Sequence, residues 1–520
     1  MPINTEEEHL DSGRARTIRG ESPLRILQVS TVDIGGGAEK VAWDLFRSYR
    51  VLGYDSWLAV GKKRSNDPNV IPIPRPNEKN FRSRILLCLE KRLQSYGIKG
   101  LAVSRVHALL RTLVDPRPEL QARLGVENFN YPGTHRLLQL PPHEPDIVHC
   151  HNLHGGYFDL RALAWLSRRA PLVFTLHDAW LLSGHCAHSF ACERWKIGCG
   201  HCPDLTIYPA ISRDATGRNW RRKRGIFLKS RFHVATPSRW LMEKVQQSIL
   251  APAIDQARVI PYGINLSVFR AAPKDKARAT LGLPQDADIV LFTANGIRKN
   301  IFKDYQTMRD AIARVTARAT ERPLIFLAVG ESAPAERIGQ GEVRFVPYQN
   351  DPAEVARYYQ AADLYLHGAK VDTFPNTVLE ALACGTPVIG SAVGGIPEQV
   401  KGLDLASAVS QGTRLNTYPM DQATGLLVAP GDPEVIAIGI RRLLADPSLS
   451  ARLGQNAAKD ARERFDLHLE VETYLDWYKE LLRATASPNG THVGSSIAPK
   501  PADLFMKKPS SSARTDQDGA

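Results

Sequence analysis

Residues Asp372–Val400 read DTFPNTVLEALACGTPVIGSAVGGIPEQV. The local order is loop, helix, strand, loop. Pro375 stands at a helix start, where its missing N–H costs nothing. The helix runs through Leu379, Glu380, Ala381, Leu382 and Ala383; Gly385 stops it and Pro387 opens a strand. Just upstream, Leu364–His367 is an apolar run of strand length. Strand, helix and strand in this order make a βαβ unit.

The same rhythm extends in both directions. Leu24–Ser30, Asp146–Cys150, Leu172–Leu176 and Phe232–Ala235 are strand candidates in the first half. After Val259–Tyr262 the series restarts with Ile289–Ala294, Leu324–Val329 and Val343–Pro347, and continues to Pro387–Ser391. Helical patterns separate most of them. Alternating β and α segments predict parallel sheets covered by helices on both faces. Two series with a break near Ile260–Pro273 predict an α/β protein of two facing doubly wound, Rossmann-like domains. Ligands in such folds sit at the carboxyl ends of the strands, here in the interdomain cleft.

The helix after Pro375 leaves backbone N–H groups free near Phe374, Pro375, Asn376 and Thr377, a ready anion site. A helix dipole contributes only about 0.3–1 kcal/mol. It can orient a diphosphate without neutralising it, so fixed cations are needed. Strand Ile289–Ala294 leads into NGIRKNIFKDYQ, which puts Arg298, Lys299 and Lys303 at a strand's carboxyl end. Glu380, one turn into its helix, can accept hydrogen bonds from a ribose diol. Metal-dependent sites favour an Asp-x-Asp pair at a strand end. Asp286-Ala287-Asp288 precedes a strand and Asp516-Gln517-Asp518 lies in the polar tail, so both read as solvated turns.

The segment resembles the signature of glycosyltransferase family 4: an acid, seven residues, a Glu, then Gly-Thr-Pro-Val and Gly-Gly. The resemblance covers roughly residues 24–480. It implies a GT-B fold and retaining, metal-independent transfer from a nucleotide-diphosphate sugar, UDP- or GDP-linked. The implied acceptor is a glycan or lipid-linked oligosaccharide, as in bacterial exopolysaccharide or cell-envelope glycan synthesis. It places Glu380 on the ribose and Asp372, where the family has the longer Glu, at the donor sugar. Lys303 and Arg298 match the diphosphate-binding pair. His177, at the end of Leu172–His177, matches the histidine beside the anomeric centre. Gly36 and Gly37 match the loop facing donor phosphate and acceptor, and His151 falls on the acceptor side. No cofactor is implied for catalysis.

The contiguous glycines Gly35–Gly37 lack the spacing of a dinucleotide fingerprint. Cys186, Cys192, Cys199 and Cys202 share one loop, which is open to two readings: a structural zinc, or free thiols shaping the loop. The net charge of +13 suits anionic partners. Basic stretches at Lys79–Arg111 and Arg213–Arg231 are either solvated faces or a dock for an anionic membrane. No nucleic-acid module is visible, and nucleic acid is not expected as a partner. No apolar run approaches the roughly 18–20 residues of a membrane span, and the first residues lack a signal-peptide pattern. The expected location is cytoplasmic, including the inner membrane surface. Competing readings are a GT-B-type sugar-nucleotide epimerase and a non-catalytic, zinc-stabilised nucleic-acid binder.

The expected organisation is an N-terminal acceptor domain over 23–258 with a cysteine-rich loop at 185–205. A linker at 259–275 leads to a donor domain over 276–465. A final helix at 466–485 packs back on the first domain, between loose ends at 1–22 and 486–520.

Overall fold

The computed structural model describes residues 23–74, 117–317, 322–403 and 417–486. The basic stretch Lys79–Arg111 and, apart from Ala486, the two expected loose ends lie outside these residues.

The first sheet is parallel throughout. Its strands are β1 (Arg25–Val32), β2 (Asp55–Lys62), β3 (Val70–Pro72), β4 (Ile147–Cys150), β5 (Leu172–Thr175), β6 (Phe232–Thr236) and β7 (Ile254–Val259), in the order β3-β2-β1-β4-β5-β6-β7. The second contains β8 (Asp288–Thr293), β9 (Leu324–Val329), β10 (Glu336–Ile338), β11 (Gly341–Val346), β12 (Leu364–His367), β13 (Val388–Ser391) and β14 (Gly425–Val428). Its order is β10-β11-β9-β8-β12-β13-β14, with only the β10–β11 pair antiparallel. In each sheet the strand order reverses beside its first strand, between β1 and β4 and between β8 and β12. These switch points open crevices at the carboxyl ends.

Central strands such as β9 (LIFLAV) are buried along their whole length, which makes them legible as apolar runs. Strands β3, β7, β10 and β14 escaped the sequence reading. β7 (IDQARV) and β10 (ERI) lie at sheet edges and carry charged side chains, so no apolar run marks them.

One hydrophobic cluster joins the two domains. It includes Ile26, Val41 and Val173 of the first, Leu291, Tyr359 and Leu382 of the second, and Tyr474, Trp477 and Tyr478 of the final helix, Leu467–Ala486. The chain crosses between domains twice, and the crossings touch: Ile264 N–H donates to the Phe465 carbonyl (2.7 Å) and Leu467 N–H to the Ile264 carbonyl (3.1 Å). A Cβ on Gly263 would stand 2.4 Å from Leu467 Cα, so the crossing requires glycine there. The final helix then returns to the first sheet. Tyr474 OH lies 2.5 Å from Thr175 Oγ1, and Tyr478 OH lies 2.7 Å from His149 Nδ1.

The crossing also buries Glu470, whose Oε2 accepts from Gly263 N–H at 2.7 Å while Oε1 makes no hydrogen bond among the described residues. Burial pushes its carboxyl up to about 8 from an ordinary 4.5. The folded chain therefore holds a proton that the unfolded chain has released. Stability from this group falls as pH rises from about 4.5 to 8. Melting temperature should drop across that interval, and Glu470→Gln should flatten the drop. Parallel melting curves for the two proteins at every pH would refute it.

Candidate active site

Asp372, Thr373 and Phe374 follow β12 and lead into the helix Asn376–Ala383, with Pro375 as its N-cap. Gly394 (φ +57°) and Gly395 hold this loop from beneath. Added Cβ atoms there would lie 1.7 Å from the Asp372 carbonyl oxygen and 2.1 Å from that of Thr373. The glycine pair lets two loops pack backbone to backbone.

Asp372 is the hub of the second domain's face. Its Oδ2 lies 2.5 Å from Lys303 Nζ and 3.4 Å from His367 Nε2. Burial opposes its charge, yet the Lys303 ammonium and His367 hold it well below the usual carboxylate range. His367 ends β12 at the switch point and is itself buried. The sequence reading passed over it, although it ends a strand as His177 does.

Glu380 is buried, with Oε2 accepting from Tyr359 OH at 3.0 Å. Desolvation pushes its carboxyl up to about 7, tempered by the Lys40 charge across the cleft. Lys40 belongs to the helix Gly37–Val51, which begins at the glycine loop, and its Nζ lies 2.7 Å from Asp44. Asn376 Nδ2 donates to the Gly37 carbonyl at 3.1 Å, and Tyr348 OH to that of Gly35 at 3.3 Å. The glycine loop and the helix start thus meet across the cleft. Thr377 lies at that start, its Oγ1 3.5 Å from His367 Nδ1. Phe374 is buried against Tyr262 and Phe465.

Arg298 lies elsewhere on this face. Its Nε pairs with Glu331 at 2.7 Å and its guanidinium covers the Phe345 ring, so the structure joins Lys303 to Asp372 but ties Arg298 to Glu331. Asp288 starts β8, at the end of the sheet opposite these residues, and pairs with Arg322.

The first domain contributes a chain of aromatic rings. The Gln28 amide nitrogen faces His151 Nε2 (2.8 Å) and the Ala42 carbonyl, while its oxygen accepts from Phe46 N–H. His151 Nε2 is therefore an acceptor, and its proton sits on Nδ1. That proton is donated to His177 Nε2 at 2.9 Å, and His177 Nδ1 donates in turn to Tyr262 OH at 2.6 Å. Burial keeps these rings neutral, with His177 lowered to about 4. His177 offers its position and ring face but no free nitrogen.

His151 corrects an expectation. It is only 1% exposed and both its nitrogens are bonded, so it braces His177 from behind and cannot touch an acceptor. A second pair went unread in the sequence: His154 Nε2 lies 2.8 Å from Asp178 Oδ2, whose other oxygen accepts from Trp180 N–H.

The four loop cysteines are free. Burial raises the thiols of Cys186 and Cys202 and pushes Cys199 up to about 12. Among the described residues no group of three or more His, Cys, Asp or Glu side chains is placed to hold a metal ion. The basic run Arg221–Arg224 is also split. Lys223 is fully buried, donating to Glu127 (2.9 Å) and to the carbonyls of Trp180 and Ser183. Arg221 and Arg224 stay exposed. No described helix is long and apolar enough to cross a membrane.

Two doubly wound domains closing on such a cleft define the GT-B class of glycosyltransferases. The model of Glycosyltransferase Family 4 matches residues 35–268, and that of Glycosyl transferases group 1 matches 273–460. The chain belongs to the glycosyltransferases that combine these two domains. It is 28% identical to a D-inositol 3-phosphate glycosyltransferase of Streptomyces bingchenggensis, covering 63% of this chain and 71% of that one. It is 25% identical to a putative colanic acid biosynthesis glycosyl transferase, WcaC, of Escherichia coli, covering 48% of this chain and 60% of that protein. Among solved structures, Anabaena Alr3699/HepE in complex with UDP-glucose superposes with a TM-score of 0.54 at 18% identity, over 88% of this chain and all of that one.

Proposed function

We propose that this glycosyltransferase moves a sugar, with retention and without a divalent metal, from a nucleotide-diphosphate donor to a glycan or lipid-linked acceptor. The observation that carries this reading is the Lys303–Asp372 pair beside the open start of the helix bearing Glu380. Lys303 and the helix N–H groups would receive the departing diphosphate, a fixed positive environment where negative charge develops. Glu380 would hold the ribose, and Asp372 and His177 the sugar. Arg298, in this reading, leaves Glu331 for the diphosphate. A UDP- or GDP-sugar fits the site. The UDP-glucose complex of the Anabaena structure supports a nucleotide sugar, and the WcaC relative supports an envelope or exopolysaccharide glycan. The exposed Arg221 and Arg224 would favour an anionic membrane surface, where a lipid-linked acceptor resides. The family matches support neither the epimerase nor the nucleic-acid reading.

Retention by double displacement needs a carboxylate nucleophile on the sugar's far face. Asp372, engaged by Lys303, would instead accept hydrogen bonds from sugar hydroxyls. Departure and attack on one face, with the leaving phosphate taking the acceptor's proton, needs no such residue and no general base. NMR of the anomeric centre should show a retained product in the presence of EDTA, and mass spectrometry of quenched enzyme should show no adduct. An inverted product, or activity abolished by EDTA and restored by magnesium, overturns this mechanism.

A further inference from the structure

The cysteine-rich loop crosses the cleft. It leaves the carboxyl end of β5 directly after His177 and Asp178, and Ala179 N–H donates back to the Ala187 carbonyl at 2.7 Å. The buried Lys223 ammonium anchors its root through the Trp180 and Ser183 carbonyls. From this footing the loop reaches the other domain. Phe190 stacks on Phe302, with ring centroids 5.9 Å apart and planes 12° off parallel, and His188 meets the same ring edge-on at 5.3 Å. Phe302 immediately precedes Lys303.

Backbone strain accompanies the contact on both sides. Phe190 has φ +46°, and Asp304, the residue after Lys303, has φ +43°. A bulky side chain is disfavoured in the left-handed region, where its Cβ crowds the following carbonyl oxygen. Phe190 is also 36% exposed, so core burial does not explain it. Strain of this kind persists where the surrounding structure demands a particular placement. The His188 ring lies within electrostatic reach of Asp178 in its own domain and of Asp372 and Lys303 across the cleft. Its Nδ1 is buried and makes no hydrogen bond among the described residues.

We propose that the cysteine-rich loop is part of the donor site: Phe190 and His188 clasp Phe302 from the opposite domain and thereby hold Lys303 at the diphosphate. Both are positioning residues acting through Phe302, and the ligand they serve is the diphosphate of a nucleoside diphosphate. The proposal rests on the donor reading given above and adds a first-domain element to it.

The test titrates the full chain with UDP and GDP, and with UMP and GMP, by calorimetry. Phe190→Ala should weaken the better diphosphate about tenfold, Phe302→Ala, which also loses the His188 contact, at least as much, and the double variant no more than Phe302→Ala alone, because Phe190 acts through Phe302. Monophosphate affinity and the melting temperature without nucleotide should stay within error of wild type. Phe190→Gly, which suits the left-handed backbone, should behave as Phe190→Ala. Diphosphate binding kept by all these variants, additive losses, or an equal loss of monophosphate overturns the clasp alone. Absence of any nucleotide binding by the wild-type chain removes the donor reading and the clasp with it.

Discussion

Replacing Lys303 by alanine should lower kcat by about a hundred- to a thousandfold, the effect of removing one preorganised group from a developing charge. Two consequences coincide. The leaving diphosphate loses its fixed cation, and Asp372 loses the ammonium 2.5 Å away that keeps it ionised in a largely buried position. Removing one partner of a buried pair costs about 3–5 kcal/mol, because the other charge stays behind. The stability loss carries a pH signature. Asp372 is held below its ordinary 3.8, so its pair contributes stability above that value and loses it as pH falls. The difference in melting temperature between wild type and Lys303→Ala should be wide at pH 7 and shrink below about pH 4. Lys303→Arg should recover most of the stability and part of the rate. A variant with wild-type kcat, or a melting difference independent of pH, would count against the assigned role.

The second large effect is expected at Glu380. Hydrogen bonds to a charged group contribute about 1.5–3 kcal/mol each, so losing two from a ribose diol should weaken nucleotide binding about a hundredfold or more. Glu380→Ala should show this with UDP or GDP alone, without a sugar. Its burial adds a pH dependence. The carboxyl is pushed up to about 7, and only the ionised form accepts from both hydroxyls. Wild-type affinity should therefore rise from pH 6 to pH 8 relative to Glu380→Gln, whose profile lacks this component. Superimposable profiles of the two proteins would refute the assignment, as would an alanine variant that binds normally.

Much of this site was legible because its residues lie close together in sequence. Glu380 and the N–H groups of Asn376 and Thr377 belong to one short helix. Pro375 and Gly385 bracket it, and the glycine pair that packs under Asp372 is only 22 residues away in the chain. Local spacing encodes such features through backbone preferences. The doubly wound architecture was legible for a related reason: strands buried on both faces must be apolar along their length. Edge strands β7 and β10 carry no such requirement and left no trace.

What tertiary structure alone decided concerns pairings between distant segments. Lys303 is 69 positions from Asp372, and His151 is 123 from Gln28, so no spacing rule joins them. Histidines at strand ends look alike in sequence, yet burial sorts them: His151 becomes a brace, His177 a ring at the cleft, and His367 a neighbour of Asp372. The basic run Arg221–Arg224 reads as one charged patch, while the fold turns Lys223 inward onto two carbonyls and Glu127. The cysteine-rich loop reads as a local knot of thiols or a metal knuckle, but its aromatic residues find their partner in the other domain. Sequence by itself determined the two doubly wound halves, the open helix start after Pro375 and the polar residues proposed for the donor site. Only folding decided which of them meet, because contact and desolvation depend on what the rest of the chain packs around each group.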